Sequence, residues 1–265
     1  MSRKRDRFTW LRLLYRLPWL LVHALLGTPV TVICQTTPGR RLRLGRRSLA
    51  HITLCWWAAT VCRIFGLRRR IEGELPDGPA LIAANHISWI DIQVLHSLSP
   101  MGFVAKAEIA SWPVIGRLAA AGDTVFHQRG SHGSSAGVSA AMAESMREGS
   151  KVAIFPEGGI LSGTGVKRFH ARMFAPAIEA GYPVQPVMLR YLRDGALYDD
   201  ITFGPREHFL GNFFRLLVQR PCIAEVRVLE ALEPDGKQRR LLASKAESAV
   251  RAAYEAPVSN GRPRG

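Results

Sequence analysis

The sequence predicts an α/β fold: a mostly parallel central sheet flanked by helices, preceded by an N-terminal membrane-associated helical hairpin. Three observations predict it. From Glu72 onward, short apolar runs alternate with longer helical patterns, as in βα units. Before Glu72, two apolar runs sit between clusters of arginine, and nearly all the net charge of the chain is confined to that first part. With 265 residues, 47% of them hydrophobic, the chain can bury one substantial core.

The N-terminal part comes first. Residues 1–70 hold 15 Lys/Arg against Asp6 alone, a net of +14 out of +15 for the whole chain. Such a segment suits nucleic acid or the anionic face of a membrane. The neighbouring residues favour the membrane, because nucleic-acid arms need no Leu- and Trp-rich runs between their charges. Residues 17–33 (LPWLLVHALLGTPVTVI) and 49–62 (LAHITLCWWAATVC) are such runs, flanked by arginines at 3–16, 40–47 and 63–70. As a helix the first run spans roughly 25 Å, short of a hydrocarbon core of roughly 30 Å. It also contains Pro18, His23 and Pro29. Spanning by both runs would place arginines 40–47 on the far side, against the positive-inside tendency. The expectation is therefore two interfacial or re-entrant helices in one leaflet, with all three basic clusters on the anionic, cytoplasmic side of the inner membrane. No small-x-small cleavage site of a signal peptide follows the first run. Cys34, Cys55, Cys62 and Cys222 lack metal-ligand spacing and read as packing residues.

The turn-rich stretch 72–79 (EGELPDGP) marks a boundary, giving a basic hairpin at 1–71, an α/β domain at 72–255 and a flexible tail at 256–265. Strands are predicted over 80–84, 102–106, 124–127, 152–155, 184–191 and 224–229. Helices are predicted over 89–98, 108–121, 136–147, 172–180 and 237–254. In such sheets the site gathers beyond the carboxyl ends of the strands.

The first of those ends reads NHISWID, residues 85–91. His86 and Asp91 could not face each other on one regular helix, but Ser88 and Asp91 form a capping-box pattern that starts a helix at Ser88. His86 then lies in the loop and can fold back onto Asp91, as a general base with its orienting acid requires. Arg129 ends a strand before a Gly/Ser-rich loop, where a guanidinium can clamp a phosphate. Lys106 ends another, and Glu157 and Gly158 a third, where glycine lets backbone approach a ligand. Each has a plainer reading taken alone: a cap, a loop histidine, a solvated arginine, a lysine paired with Glu108, a proline/glycine turn.

Together these blocks resemble the glycerolipid acyltransferase family that includes 1-acylglycerol-3-phosphate acyltransferases. NHISWID is similar to its N-H-x-S-x-x-D signature, FVAKAEI (103–109) to its F-V-A-K-x-E-L segment, VFHQR (125–129) to its strand ending in arginine, FPEGG (155–159) to its F-P-E-G signature and VQPVML (184–189) to its final strand. The resemblance spans the α/β body, residues 80–191. It implies His86 and Asp91 as catalytic residues and Lys106, Arg129, Glu157, Gly158 and Lys167 as substrate-binding residues. Backbone N–H groups near the helix start would hold the oxyanion. The implied reaction moves a fatty acyl group from acyl-CoA or acyl carrier protein, as co-substrate, onto the free hydroxyl of lysophosphatidic acid to give phosphatidic acid. It needs no metal and no resident cofactor. The chain departs from the family after Gly158, where Gly159-Ile160-Leu161 replaces the usual Thr and Arg or Ser, so headgroup contacts can differ. Lys167, Arg168 and Arg172 can then supply them, with His170 a weaker second base. Another lysolipid, such as lyso-ornithine lipid, is the competing acceptor. Two rivals of other classes are a non-catalytic membrane-binding protein and a serine hydrolase built on Gly133-Ser134-Ser135-Ala136-Gly137 with Asp199 or Asp200 and His208.

Overall fold

A computed structural model describes residues 7–106, 111, 116, 124–127, 132–160, 165–234 and 238–258. The chain begins with α1 (Thr9–Cys34), 26 residues and so about 39 Å long at about 1.5 Å per residue. Pro29 cannot donate to the preceding turn, and the helix runs through a π-turn at His23–Gly27 just before it. One stripe of α1 faces the domain: Leu13, Leu17 and Leu20 pack on the core, with Arg16, His23, Thr28 and Thr31 buried among them. The opposite stripe, including Trp10, Leu14, Leu21 and Leu25, is exposed. A short helix (Thr37–Arg41) and a hairpin (Arg43–Leu44 with Arg47–Ser48) then carry the exposed arginines 40–47.

The second apolar run differs from expectation. It forms α2 (Leu49–Ile64), N-capped by the Ser48 hydroxyl, which accepts from the His51 N–H at 3.2 Å. Leu54, Trp57, Ala58, Val61, Cys62 and Ile64 are buried against the sheet rather than offered to a leaflet. Burying a Leu or Val side chain yields about 1.5–3 kcal/mol wherever water is excluded, so the sheet supplies what a membrane would. The Trp57 indole donates to Thr28 Oγ1 at 3.2 Å, and the Trp57 carbonyl lies 3.2 Å from His23 Nε2, which ties α1 to α2.

A strand then appears inside the third arginine cluster. β1 (Leu67–Glu72) crosses the boundary drawn between 71 and 72, and Arg70, within it, is buried 3.8 Å from Glu225. Arg68, Arg69 and Arg70 therefore belong to the sheet, while Arg63 is exposed on α2. The chain continues through β2 (Leu81–Ala84), α3 (Asp91–His96), β3 (Gly102–Lys106), β4 (Val125–His127), α4 (His132–Arg147), β5 (Val152–Ile154), α5 (Ala175–Ala180), β6 (Val184–Arg193), α6 (Phe209–Val218), β7 (Cys222–Val228) and α7 (Arg239–Glu255). Neither β1 nor α6 is among the predicted elements, and the helix expected at 108–121 lies, except for Ser111 and Gly116, outside the described residues. The tail is not loose from its start, because Arg190 donates to the carbonyls of Ala256 and Pro257 at 2.6 and 3.3 Å.

The sheet has the order β1-β7-β6-β2-β5-β3-β4, with Ala196–Leu197 pairing on β6. β6, β2, β5, β3 and β4 run parallel, while β7 is antiparallel to β6 and parallel to β1. Both faces are covered, which is why β2 reads as the unbroken apolar run LIAA. Ile82 and Ala84 join a core with α2, α3 and α6. Leu81 and Ala83 join a second core with α4, α5 and α7.

Candidate active site

Three adjacent strands, β6, β2 and β5, converge on the site from their carboxyl ends. β2 stops at Ala84, but the Asn85 side chain continues its pairing with β6. Its Nδ2 donates to the Leu189 carbonyl and its Oδ1 accepts from the Leu189 N–H, both at 2.8 Å. The backbone is thereby released to turn while the strand stays anchored, and His86 emerges at the turn.

His86 Nδ1 lies 2.9 Å from Asp91 Oδ2. A carboxylate only accepts, so Nδ1 carries the proton and Nε2 is the free acceptor. Asp91, the first residue of α3, is fully buried and held by three further donors. Its Oδ2 accepts from the N–H groups of Ile87 at 2.7 Å and Ser88 at 2.9 Å, and its Oδ1 from the Tyr191 hydroxyl at 2.6 Å. Burial and the neighbouring carboxylate push the Tyr191 phenol well above its ordinary range, so it remains a donor. The imidazole is also stacked on Phe155, with ring centres 3.8 Å apart and planes 12° apart. Hydrogen bond and stack together fix both the direction and the plane of the ring.

Two details correct the sequence reading. The helix starts at Asp91 and not at Ser88, whose hydroxyl is buried without a hydrogen-bond partner. Of the backbone N–H groups near the helix start, where the sequence reading places an oxyanion, those of Ile87 and Ser88 are taken by Asp91.

Glu157 follows β5 in a turn closed by the Gly158 N–H to the Phe155 carbonyl at 3.1 Å, with Pro156 at its second position. Its Oε2 accepts from the His86 N–H at 2.8 Å and its Oε1 from the Lys167 N–H at 2.7 Å. Burial raises its carboxyl above the usual range, against the opposing pull of those two N–H groups. The carboxylate therefore staples the His86 loop to the 165–170 strap. Gly158 has φ +83°, and a Cβ there would meet the His170 ring at 3.4 Å. Lys167 is half-buried beside this turn.

The structure thus brings His86, Asp91, Glu157, Gly158 and Lys167 together. Lys106 ends β3, next to β5, and its backbone alone is described. Arg129 lies outside the described residues. The hydrolase set does not assemble: Ser135 sits inside α4, which follows the edge strand β4, whereas Asp199, Asp200 and His208 follow β6, with β2, β5 and β3 between. Sequence reasoning passed over Asn85, Phe155 and Tyr191 as site residues. A signal existed for Asn85 and Phe155, which open the NHISWID and FPEGG motifs. Tyr191 is 100 positions from its partner, and only the β2–β6 pairing brings the two together.

The Acyltransferase family model matches residues 66–190, from the residue before β1 to the residue before Tyr191. The lyso-ornithine lipid O-acyltransferase of Pseudomonas aeruginosa is 37% identical over 246 residues, 92% of this chain and 93% of that protein. This chain belongs to the acyltransferase family. The 1-acyl-sn-glycerol-3-phosphate acyltransferase of Neisseria meningitidis is 37% identical over 193 residues, 72% of this chain and 71% of the other. The crystal structure of the 1-acyl-sn-glycerophosphate acyltransferase PlsC from Thermotoga maritima covers 95% of this acyltransferase and 98% of its own chain, with a TM-score of 0.67. At 17% identity that likeness is one of fold.

Proposed function

We propose that this acyltransferase moves a fatty acyl chain from a thioester, acyl-CoA or acyl carrier protein, onto the free hydroxyl of a lysolipid, and that lyso-ornithine lipid is its acceptor. The observation that carries the chemistry is the His86–Asp91 pair, buried on the acid side and open on Nε2. As the acceptor hydroxyl attacks the thioester carbonyl, Nε2 takes its proton. The tetrahedral intermediate then collapses, the carbon–sulfur bond breaks, and the imidazolium returns the proton to the departing thiol. Asp91 stays ionised and stabilises the imidazolium. No resident cofactor takes part.

One observation favours lyso-ornithine lipid over lysophosphatidic acid. The likeness to the Pseudomonas aeruginosa enzyme runs nearly end to end, while that to the Neisseria meningitidis enzyme covers 72% of the chain. A lyso-ornithine lipid presents a hydroxyl, a carboxylate and an amine but no phosphate, so Arg129, Lys106 and Lys167 would meet a carboxylate. Lysophosphatidic acid remains the second reading, on the strength of the same basic residues.

Membrane attachment is proposed as monotopic on the cytoplasmic face. α1 is long enough to cross a bilayer, yet its inner stripe is fastened to the domain from Arg16 to Thr31, and a helix so fastened lies in the interface. The test is purified protein with labelled acyl-CoA or acyl carrier protein against both lysolipids. A higher kcat/KM for lyso-ornithine lipid supports the reading, and turnover of lysophosphatidic acid alone refutes its acceptor half.

A further inference from the structure

Resting on the lysolipid reading above, we propose that the outer face of α6, Leu210 with Phe214, enters the acyl-chain region of the same leaflet as α1, the two helices forming one rigid membrane-binding surface.

The argument starts from the stripe itself. Leu210 and Phe214 lie one helical turn apart and are 67% and 48% exposed. The next residues on that side are Leu217, buried, and Val218, half-buried, at the end of the helix, and α1 packs against α6. The exposed and the covered parts are one apolar strip, interrupted where α1 crosses it. A strip that continues directly into the exposed face of a 26-residue apolar helix meets whatever that helix meets.

The junction is rigid. Helix α6 ends with unpaired carbonyls, and arginines of α1 cap them. Arg16 Nη1 donates to the carbonyls of Leu217 and Gln219, both at 2.9 Å, and Arg12 Nη1 to that of Val218 at 3.2 Å. Arg16 is 2% exposed, and its guanidinium fills the space a Cβ would take at Gly66, 2.5 Å away. This arginine, read from the sequence as part of a membrane-facing cluster, instead bolts the two helices together. α1 cannot settle into a leaflet without bringing α6 along.

The inner face of α6 explains why that placement matters. Phe209 and Phe213 pack on Trp89 with ring centres 5.4 and 5.8 Å away, and Asn212 Oδ1 accepts from the Trp89 indole at 2.9 Å. Trp89 lies between His86 and Asp91 in the chain. A leaflet touching the outside of α6 is thus one helix thickness from the loop that carries the base, and a lysolipid reaches it without leaving the acyl-chain region.

The experiment uses the full chain with Cys34→Ser and Cys55→Ser, which removes the two half-buried thiols, and a polarity-sensitive fluorophore on Phe214→Cys. The probe is vesicles of phosphatidylethanolamine and phosphatidylglycerol carrying a quencher on their acyl chains. Quenching at position 214, as at a control Leu14→Cys, is expected. The double variant Leu210→Glu, Phe214→Glu should lower vesicle partition on the order of tenfold or more, since two large apolar side chains lose their transfer gain. Its melting temperature should not change, because both side chains are exposed. Quenching at 14 but not at 214 overturns the proposal, as does unchanged partition of the double variant. So does self-association in vesicle-free buffer that the substitutions abolish, which would make the face a contact between copies. Quenching of the labelled Phe214→Cys protein, with a wild type that acylates no lysolipid, would instead count against the acyltransferase reading alone.

Discussion

Tyr191 and Arg190 are neighbours on β6 that point to opposite faces of the sheet, and each clamps a fully buried carboxylate. Tyr191 meets Asp91 on the face shared with α2 and α3. Arg190 meets Glu225 on the other, with Nη2 3.0 Å from Oε1, while Arg227 and Arg70 approach the same carboxylate at 2.9 and 3.8 Å. Glu225 is surrounded by full positive charges that neutralise it, and Arg190 also reaches the carbonyl of Tyr254 at 2.9 Å to hold the end of α7. Asp91 receives only neutral donors besides the imidazole. Its negative charge is fixed in place by dipoles but not cancelled, and it remains available to an imidazolium. The same buried group serves as a structural pin on one face and as part of the catalytic machinery on the other.

Removing each charge should separate the two roles. Asp91→Asn leaves the shape but not the charge, so acyl transfer should fall about 10²–10⁴-fold, the range of general-base assistance. A thermal melt of the same sample should show a comparatively small loss. Glu225→Gln should do the reverse. Breaking a buried ion pair from one side costs about 3–5 kcal/mol in urea unfolding, while kcat per folded molecule should stay the same.

A third buried titratable group has no charged partner and tests what desolvation does alone. His96, at the end of the helix that Asp91 begins, packs against Phe103, and burial pushes its imidazole down to about 4. The folded protein refuses a proton that the unfolded chain takes below its ordinary value near 6.5. Its contribution is therefore complete above that value and is lost as pH falls toward 4, roughly 3–4 kcal/mol at about 1.4 kcal/mol per pH unit. His96→Phe should flatten the acid arm of a stability–pH curve between those limits. An unchanged slope would mean the histidine finds a proton partner.

The smallest effect belongs to the hydroxyl. Tyr191→Phe removes one of four donors from Asp91, and kcat should drop about tenfold, the worth of one hydrogen bond to a charged group. KM should hold, since Tyr191 touches Asp91 and not the substrate. An equal rise in KM would point to a wider disturbance of the loop.

These contrasts also mark what the sequence could convey. The strands β2 to β7 were legible because each is a short apolar run closed by a turn, and His86 with Asp91 because a loop histidine before a helix-starting acid has a recognisable spacing. β1 was not, because Leu67 and Ile71 are separated by Arg68-Arg69-Arg70, and a strand whose alternation is filled with arginine reads as a charge cluster. α2 was read as interfacial because apolar content reports the absence of water, not whether protein or lipid excludes it. Glu157 was legible as a functional position but not in its job, since its partners are backbone N–H groups that leave no mark in the residue pattern.

The central claim is that His86 Nε2 takes the proton of the attacking hydroxyl. The most direct test is single-turnover transfer from labelled acyl thioester to lysolipid in vesicles, comparing wild type with His86→Ala. A loss of about 10²–10⁴-fold with an unaltered melting temperature is the predicted result. Transfer by the alanine variant within a few-fold of wild type would contradict it.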